Sequence, residues 1–153
     1  MKLKVPYHRQ STDFTCGPAA ARMILSFWGQ RVSERRLRVL LNTNSRSGTR
    51  RPDLARGLRS FGLRVRTACN ANVSDLRRSL AAGRPAIVNY REPEEGISHY
   101  AVVIGLENGK LILNDPDLGS GYRLGMKDFT SRWYGRHRRR NVRWLLVAAP
   151  EDK

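Results

Sequence analysis

Two hydrophobic patterns follow one another along this chain and limit the folds open to it. Up to Phe61 the apolar residues recur mainly at helical spacing, whereas from Ala86 onward they form short runs bounded by turn residues. Helices first and strands later are typical of the α+β class, in which helices pack on an antiparallel sheet. Because 153 residues supply one adequate core and not two, we expect a single α+β domain over residues 1–153.

The helical pattern is clearest in the segment Pro18–Gly29. It opens with a proline suited to the first turn of a helix and stops at a glycine suited to a left-handed cap. Further helices are predicted from Ser33 onward, over Thr49–Phe61, from Val73 to Gly83 and over Met126–Trp133. Strands are predicted over Leu63–Thr67, Ala86–Tyr90, Tyr100–Leu106, Lys110–Asn114 and Val142–Val147.

The chain is strongly basic, with 29 lysines and arginines against 13 acidic residues and a formal net charge of +16. Such a charge attracts nucleic acid, an anionic surface or an acidic peptide. Only five of the basic residues are lysines, so the arginine excess can equally reflect genomic base composition. No nucleic-acid motif is present, and for the basic segment Gly135–Asn141 we favour a solvated loop over a patch that binds an acidic leader or an anionic polymer. Nucleic acid or an acidic polymer is therefore a partner that the motifs do not favour.

The expected compartment is the cytoplasm. No apolar run approaches the roughly 20 residues of a membrane span, and Met1–Gln10 lacks the apolar core of a secretory signal. The two cysteines, Cys16 and Cys69, are expected to be unpaired thiols, as is usual in a reducing compartment. No Cys/His cluster has the spacing of a zinc site, so neither a metal nor another cofactor is expected.

Cys16 is the cysteine better placed for chemistry. It lies two residues before Pro18, at the expected start of the first helix, where unpaired backbone N–H groups and the helix dipole favour a thiolate. The thiolate is the nucleophilic form of the side chain. A buried structural cysteine explains this segment equally well when it is taken alone. We expect Cys69 to be structural for the same reason.

A hairpin decides whether His99 and Asp115 can cooperate, since each stands at the end of one of its strands. A two-residue turn over Asn108-Gly109 puts the two side chains on opposite faces of the sheet. A three-residue loop with a bulge at Gly109 shifts the register by one, placing Asp115 opposite Ala101 and on the face of His99. We predict the bulged loop, because it requires a positive φ only at the glycine.

A histidine and a carboxylate on one face make a base and the group that orients it. His99 or Asp115 alone has a simpler structural explanation, but with Cys16 they fit nucleophilic catalysis. Gln10, six residues before Cys16, could add a side-chain donor for the oxyanion formed when a thiolate attacks an amide. A surface glutamine is the simpler explanation of Gln10 by itself.

Four segments in order resemble the bacteriocin-processing, double-glycine peptidase family of papain-like cysteine peptidases. They are Val5–Ala20, Leu80–Val88, Ser98–Gly105 and Leu113–Pro116. The resemblance implies a papain-like α+β fold, in which a helical N-terminal half carrying the cysteine packs on a C-terminal antiparallel sheet carrying the base. It also implies that Cys16 is the nucleophile, His99 the base, Asp115 its orienter and Gln10 the oxyanion donor.

The best-known members of that family precede a membrane transporter and cut leader peptides after a Gly-Gly pair. No transporter follows here, so we expect a free-standing relative whose peptide or protein substrate is open. Peptide hydrolysis is the favoured activity. The alternatives are a thiol acyltransferase or amidase of the same fold, and a basic module that binds nucleic acid or acidic peptide and carries a vestigial triad.

Overall fold

The computed structural model describes residues 1–135 and 143–152. In this part of the chain the helices are α1 (Cys16–Phe27), α2 (Glu34–Leu40), α3 (Arg51–Arg59), α4 (Val73–Ala81) and α5 (Met126–Arg132). The strands are β1 (Arg64–Ala68), β2 (Ala86–Arg91), β3 (Ser98–Glu107), β4 (Lys110–Asp115), β5 (Gly119–Gly125) and β6 (Leu145–Ala149). All six strands pair antiparallel in the order β1-β6-β2-β3-β4-β5, which confirms the predicted α+β class.

Helices cover both faces of this sheet. Residues of α1, α2 and α3 pack against the face of β3 that carries Tyr100, Val102 and Ile104. Residues of α4 and α5 pack against the opposite face, which carries Ala101 and Val103. The predicted helical N-terminal half therefore forms one layer, and the two later helices close the sheet from the other side. The alternation of side chains along β3 assigns each residue to one of the two cores.

Apart from shifts of one or two residues at the ends of other elements, the structure differs from the sequence prediction at the start of α1, in β5 and at the start of the last strand. Helix α1 begins at Cys16 and not at Pro18, because the Thr15 carbonyl already accepts a hydrogen bond from Ala19 N (3.1 Å) and a proline is tolerated throughout the first turn. Strand β5 was not predicted; it is rich in glycine and buries only Leu124, so its sequence lacks an alternating pattern. The last strand starts at Leu145, while its predicted start and residues 136–141 of the predicted basic loop lie outside the described residues.

The predicted bulge at Gly109 is wrong, although the predicted register at Asp115 is right. Asn108 and Gly109 have φ of 52° and 75°, so the hairpin closes with a two-residue turn and Glu107 pairs with Lys110. The extra residue lies further along β3: Val103 faces Leu113 and Gly105 faces Ile112, which leaves a bulge at Ile104. Beyond that bulge Val102 faces Asn114, so Asp115 comes level with Ala101 and on the face of His99.

The N-terminal residues pair with β3 at this bulge. Leu3 N donates to Ile104 O at 2.8 Å, Leu106 N donates to Met1 O at 2.9 Å, and Lys2 bridges to Gly105. A Cβ at Gly105 would lie 2.7 Å from Met1 O, so only glycine allows this close approach. The β2–β3 pairing ends at Val103, and the N-terminal residues form the backbone hydrogen bonds of the bulged part of β3 that follows.

Candidate active site

Cys16 and His99 line one cleft of about 1130 Å³. The helical side of the cleft is formed by α1 and by the connection from α2 to α3, and the sheet side by β2 and the start of β3. Asp115 lies behind His99 and is fully buried, whereas half-buried Gln10 lies outside the lining. The structure therefore brings the first two predicted site residues to one cleft and places the third against His99.

The Cys16 sulfur is surrounded by backbone N–H groups. Tyr100 N donates to Sγ at 3.5 Å, and the N–H groups of Cys16 and Gly17 at the start of α1 also face it. Burial raises the pKa of the Cys16 thiol to about 11, more than these N–H groups lower it. The N–H groups at the helix start favour the thiolate, as the sequence predicts, but burial has the larger and opposite effect on the pKa of Cys16.

Gly17 lets the loop before α3 approach the cysteine. A Cβ at this position would overlap the side chain of Thr49, which is buried and lies on the cleft lining. Thr49 Oγ1 is hydrogen-bonded to Thr43 Oγ1 at 2.7 Å. The absence of a side chain at Gly17 thus sets the distance between the turn that carries Cys16 and the connection from α2 to α3.

His99 is held by Asp115 across the β3–β4 pair. His99 Nε2 lies 2.7 Å from Asp115 Oδ2, and only 6% of His99 is exposed. With the carboxylate ionised, Nε2 carries the proton and Nδ1 is the ring nitrogen that accepts one. Tyr100, the next residue along β3, donates its N–H to Cys16 Sγ. The thiol therefore lies beside the backbone of the residue that follows His99.

Asp115 is kept ionised by a full set of donors. Burial alone raises the pKa of this carboxyl, but the His99 hydrogen bond and charge, the Leu118 N–H and the Tyr90 hydroxyl outweigh it, so the pKa lies below the ordinary value. Tyr90 OH donates to Oδ2 at 2.5 Å, and Oδ1 accepts from Asp117 N and Leu118 N at 2.9 Å each. These donors fix the oxygen that His99 contacts.

Tyr90 is a residue of this cluster that the sequence analysis missed. It is completely buried and pairs directly with His99 across the β2–β3 ladder. Burial and the neighbouring Asp115 raise the pKa of Tyr90, so its hydroxyl stays protonated and donates. The residue could have been found only from the β2–β3 register, which no local pattern determines.

Gln10 is positioned by the loop after β4. Gln10 N donates to Pro116 O at 3.0 Å, and Arg9 Nη1 donates to Asp117 O at 2.7 Å. The side-chain Nε2 donates to Thr12 O at 2.8 Å, and its second hydrogen is the one that could meet an oxyanion. The role of Gln10 as an oxyanion donor stays a prediction.

A second carboxylate organises the loop that leads to His99. Glu92 is only 2% exposed, and its two oxygens accept the backbone N–H groups of Glu94, Glu95 and Ile97 at 2.6–3.1 Å. The loop closes where β3 begins, one residue before His99. Glu92 therefore holds the sheet-side rim of the cleft, a role with no signal in the sequence.

Replacing Glu92 with glutamine is expected to lower the free energy of unfolding by about 1–3 kcal/mol. In the parent protein both oxygens of Glu92 accept backbone N–H groups. The NH2 group of a glutamine would replace one of these acceptors with a donor, so donors would face donors. Urea denaturation at neutral pH measures the change. Glu94→Gln removes the same charge from an exposed position of the same loop and is expected to stay within about 0.5 kcal/mol of the parent. Equal effects of the two substitutions would contradict the role of Glu92.

Cys69 does not share these features. It follows β1 as an exposed residue, so the expectation of a buried structural cysteine is wrong. Both cysteines are unpaired thiols, as predicted. Among the described residues no group of three or more His, Cys, Asp or Glu side chains could hold a metal ion. In the same part of the chain no helix has the length and apolarity to span a membrane.

Comparison with known proteins identifies the family of this chain. The chain belongs to the Peptidase_C39 like family, whose model matches residues 2–140. An uncharacterized protein of Methanothermobacter marburgensis is 34% identical over 111 residues, which cover 72% of this chain and 71% of that protein.

Two solved structures confirm the papain-like α+β fold that the sequence resemblance implied. The peptidase domain of Streptococcus ComA, a bi-functional ABC transporter involved in quorum sensing, is 25% identical with a TM-score of 0.77; the match covers 97% of this chain and 100% of that domain. A double glycine motif protease from an AMS/PCAT transporter, solved in complex with the leader peptide, is 22% identical with a TM-score of 0.78, over 97% of this chain and 94% of that one.

Proposed function

We propose that this protein is a cysteine peptidase in which Cys16 is the nucleophile, His99 the base and Asp115 the group that orients His99. The observation that carries the proposal is the 2.7 Å contact between His99 Nε2 and Asp115 Oδ2, beside a cleft shared by His99 and Cys16. The contact leaves Nδ1 as the basic nitrogen, and Cys16 needs a base because burial keeps its thiol protonated. Membership of the family and the likeness to ComA support the same activity.

The first half of the reaction forms an acyl-enzyme. His99 Nδ1 takes the proton of the Cys16 thiol as sulfur bonds to the carbonyl carbon, and the carbonyl oxygen becomes an oxyanion. The N–H of Cys16 and the second amide hydrogen of Gln10 are the proposed donors to that oxygen. When the carbon–nitrogen bond breaks, the imidazolium returns the proton to the leaving amine and a thioester remains on Cys16.

The second half releases the acid. His99 Nδ1 takes a proton from water as the water oxygen bonds to the thioester carbon, and the carbon–sulfur bond then breaks. The sulfur leaves as a thiolate, and His99 gives it the proton. Asp115 stabilises the imidazolium at both stages without taking a proton itself.

We infer that the substrate is an unfolded, leader-like peptide lying across the cleft. The support is the double glycine motif protease of the same fold, which was solved with its leader peptide. A peptide reaching the cleft between the helical wall and the sheet would pass both Cys16 and His99. The two unpaired thiols, one of them exposed, fit a reducing compartment, and we therefore place the protein in the cytoplasm.

The activity is tested by digesting a peptide library with the parent protein and with Cys16→Ser. We expect cleavage by the parent and a loss of roughly four orders of magnitude or more in the variant. Cys69→Ser is the matched control and should cleave like the parent. Addition of hydroxylamine traps an acyl thioester on Cys16 as a hydroxamate, which should form with the parent protein and not with Cys16→Ser. Cleavage that survives in Cys16→Ser would overturn the proposal.

A further inference from the structure

We infer that the cleft selects peptides with acidic side chains close to the bond that is cut. The inference rests on the proposed function and adds the class of substrate. It starts from the charged residues of the cleft lining: four are arginines and one is an acid. They are Arg46, Arg50, Arg51, Arg91 and Asp13. Four positive charges less one negative charge leave a formal charge of +3 on the lining, with His99 neutral.

The arginines lie on both walls. Arg46, Arg50 and Arg51 belong to the helical side, in the connection from α2 to α3 and the start of α3, whereas Arg91 ends β2 on the sheet side. An extended peptide between these walls would meet positive charge from both of them. The acidic residues Glu94 and Glu95 are exposed on the neighbouring loop but do not line the cleft.

Two of the arginines are held in fixed positions. Arg51 Nη2 donates to Asn89 Oδ1 at 3.1 Å, and its guanidinium lies 5.0 Å from the ring centre of Trp144. Arg91 Nη1 donates to Gly96 O at 3.0 Å, and its guanidinium lies 5.2 Å from the ring centre of Tyr134. Neither of these contacts neutralises the charge, because the partners are an amide, a carbonyl and aromatic rings.

Arg46 and Arg50 are exposed, and neither forms an ion pair with a described residue. The turn that carries Arg46 is ordered by Asn44, whose Oδ1 accepts Arg46 N at 3.0 Å and Ser47 N at 2.9 Å. Elsewhere acidic side chains do pair with arginines: the pairs are Asp53–Arg56, Glu151–Arg64, Asp75–Arg78, Glu107–Arg123 and Asp128–Arg132. Five acidic residues of the described chain are thus paired with arginines away from the cleft, and Asp13 is the one acid on its lining.

Carboxylates are the ligands that this arrangement fits. A concave surface of one sign concentrates the potential inside it, and a guanidinium binds a carboxylate through two parallel hydrogen bonds. Nucleic acid is the other polyanion to consider, but single strands are held by stacking on exposed aromatic rings. The only aromatic side chain on the described lining apart from the His99 imidazole is Tyr100, which is buried. The cleft therefore favours an acidic peptide.

The potential of the cleft can be measured without any substrate. Cys16 is alkylated in a Cys69→Ser background with iodoacetate, which is anionic, and with iodoacetamide, which is neutral, and the ratio of the two rates is taken. We expect Arg46→Gln/Arg50→Gln to lower this ratio by about tenfold at low salt and much less at about 0.5 M salt. Arg35→Gln/Arg66→Gln removes two exposed charges outside the cleft and should leave the ratio within about twofold.

Peptide selection is measured with library peptides that the parent cleaves. Substituting Glu for Gln beside the cleaved bond is expected to raise kcat/KM by about tenfold in the parent and little in Arg46→Gln/Arg50→Gln.

If Cys16 reacts fast with iodoacetamide but neither the rate ratio nor the Glu preference depends on these arginines, the inference is overturned and the peptidase proposal stands. If the parent cleaves no peptide, the peptidase proposal fails, while the iodoacetate ratio still tests the cleft. An oligonucleotide that protects Cys16 better than an acidic peptide of equal charge would also overturn the inference.

Discussion

His99→Ala is expected to lower peptide hydrolysis by roughly four orders of magnitude or more. It is also expected to bring the alkylation of Cys16 at neutral pH below that of exposed Cys69. Without the imidazole, no side chain removes the proton from a thiol whose pKa burial raises to about 11, so little thiolate forms at pH 7. Stopped iodoacetamide reactions followed by mass spectrometry of the two cysteine peptides measure both rates in one sample.

The pH dependence makes this prediction specific. In His99→Ala the alkylation rate of Cys16 should rise about tenfold for each pH unit toward the raised pKa of the buried thiol, whereas in the parent protein the imidazole takes the proton and Cys16 reacts fast at neutral pH. The matched control is His8→Ala, since His8 lies outside the cleft lining and is hydrogen-bonded to Ser26. Unchanged Cys16 labelling in His99→Ala, or an equal loss in His8→Ala, would remove His99 from the role of base.

Asp115→Asn is expected to reduce hydrolysis by roughly 10³–10⁴. Four donors hydrogen-bond to the carboxylate in the parent protein. The NH2 group of an asparagine at this position would face two of them. Either His99 must then adopt the wrong tautomer, or the N–H groups of Asp117 and Leu118 lose their acceptor. The loss should fall mainly on kcat, because Asp115 lies behind His99 and does not line the cleft. Steady-state kinetics on a library-derived peptide separates kcat from KM.

Stability should respond to pH in the same variant. The fold lowers the pKa of Asp115, so the ionised carboxylate stabilises the parent protein above about pH 4, and this contribution is lost as the pH falls through the lowered value. We expect Asp115→Asn to cost about 1–3 kcal/mol at pH 7 and less at the acid limit. Urea denaturation as a function of pH measures this difference.

Asp117→Asn serves as the control for both measurements, because that side chain is exposed on the same loop. It should leave kcat and the urea midpoint close to those of the parent protein. A cost that does not shrink as the pH falls in Asp115→Asn would contradict the assigned ionisation state of the carboxylate.

Most of the helices, and the residues at their ends, could be predicted from local patterns. Ser33 caps α2 by accepting from Arg36 N at 3.1 Å, and Asn72 and Asp75 form a capping box at the start of α4. Such signals act within one or two helical turns, which explains why they can be read directly from the chain. The glycine-rich strand β5 lacked a local signal, and it forms because the edge of β4 is available for pairing.

In the candidate site, too, the features set by local patterns could be predicted and those set by distant segments could not. Cys16 before a helical segment, His99 before an apolar strand and Asp115 after the next strand could be predicted, since each stands at the end of a local pattern. The approach of His99 to Asp115 depends on the bulge at Ile104, which the N-terminal residues stabilise from about a hundred positions away.

By itself, therefore, the sequence determined the α+β class, the order of the elements and three chemically suitable side chains. Only the tertiary structure decided that burial raises the pKa of the Cys16 thiol, that Tyr90 and Glu92 hold the surroundings of His99, and that four arginines share one cleft. The physical reason is that periodicity and capping are local, whereas desolvation, strand register and the electrostatic potential of a cleft arise between segments that are distant in the chain.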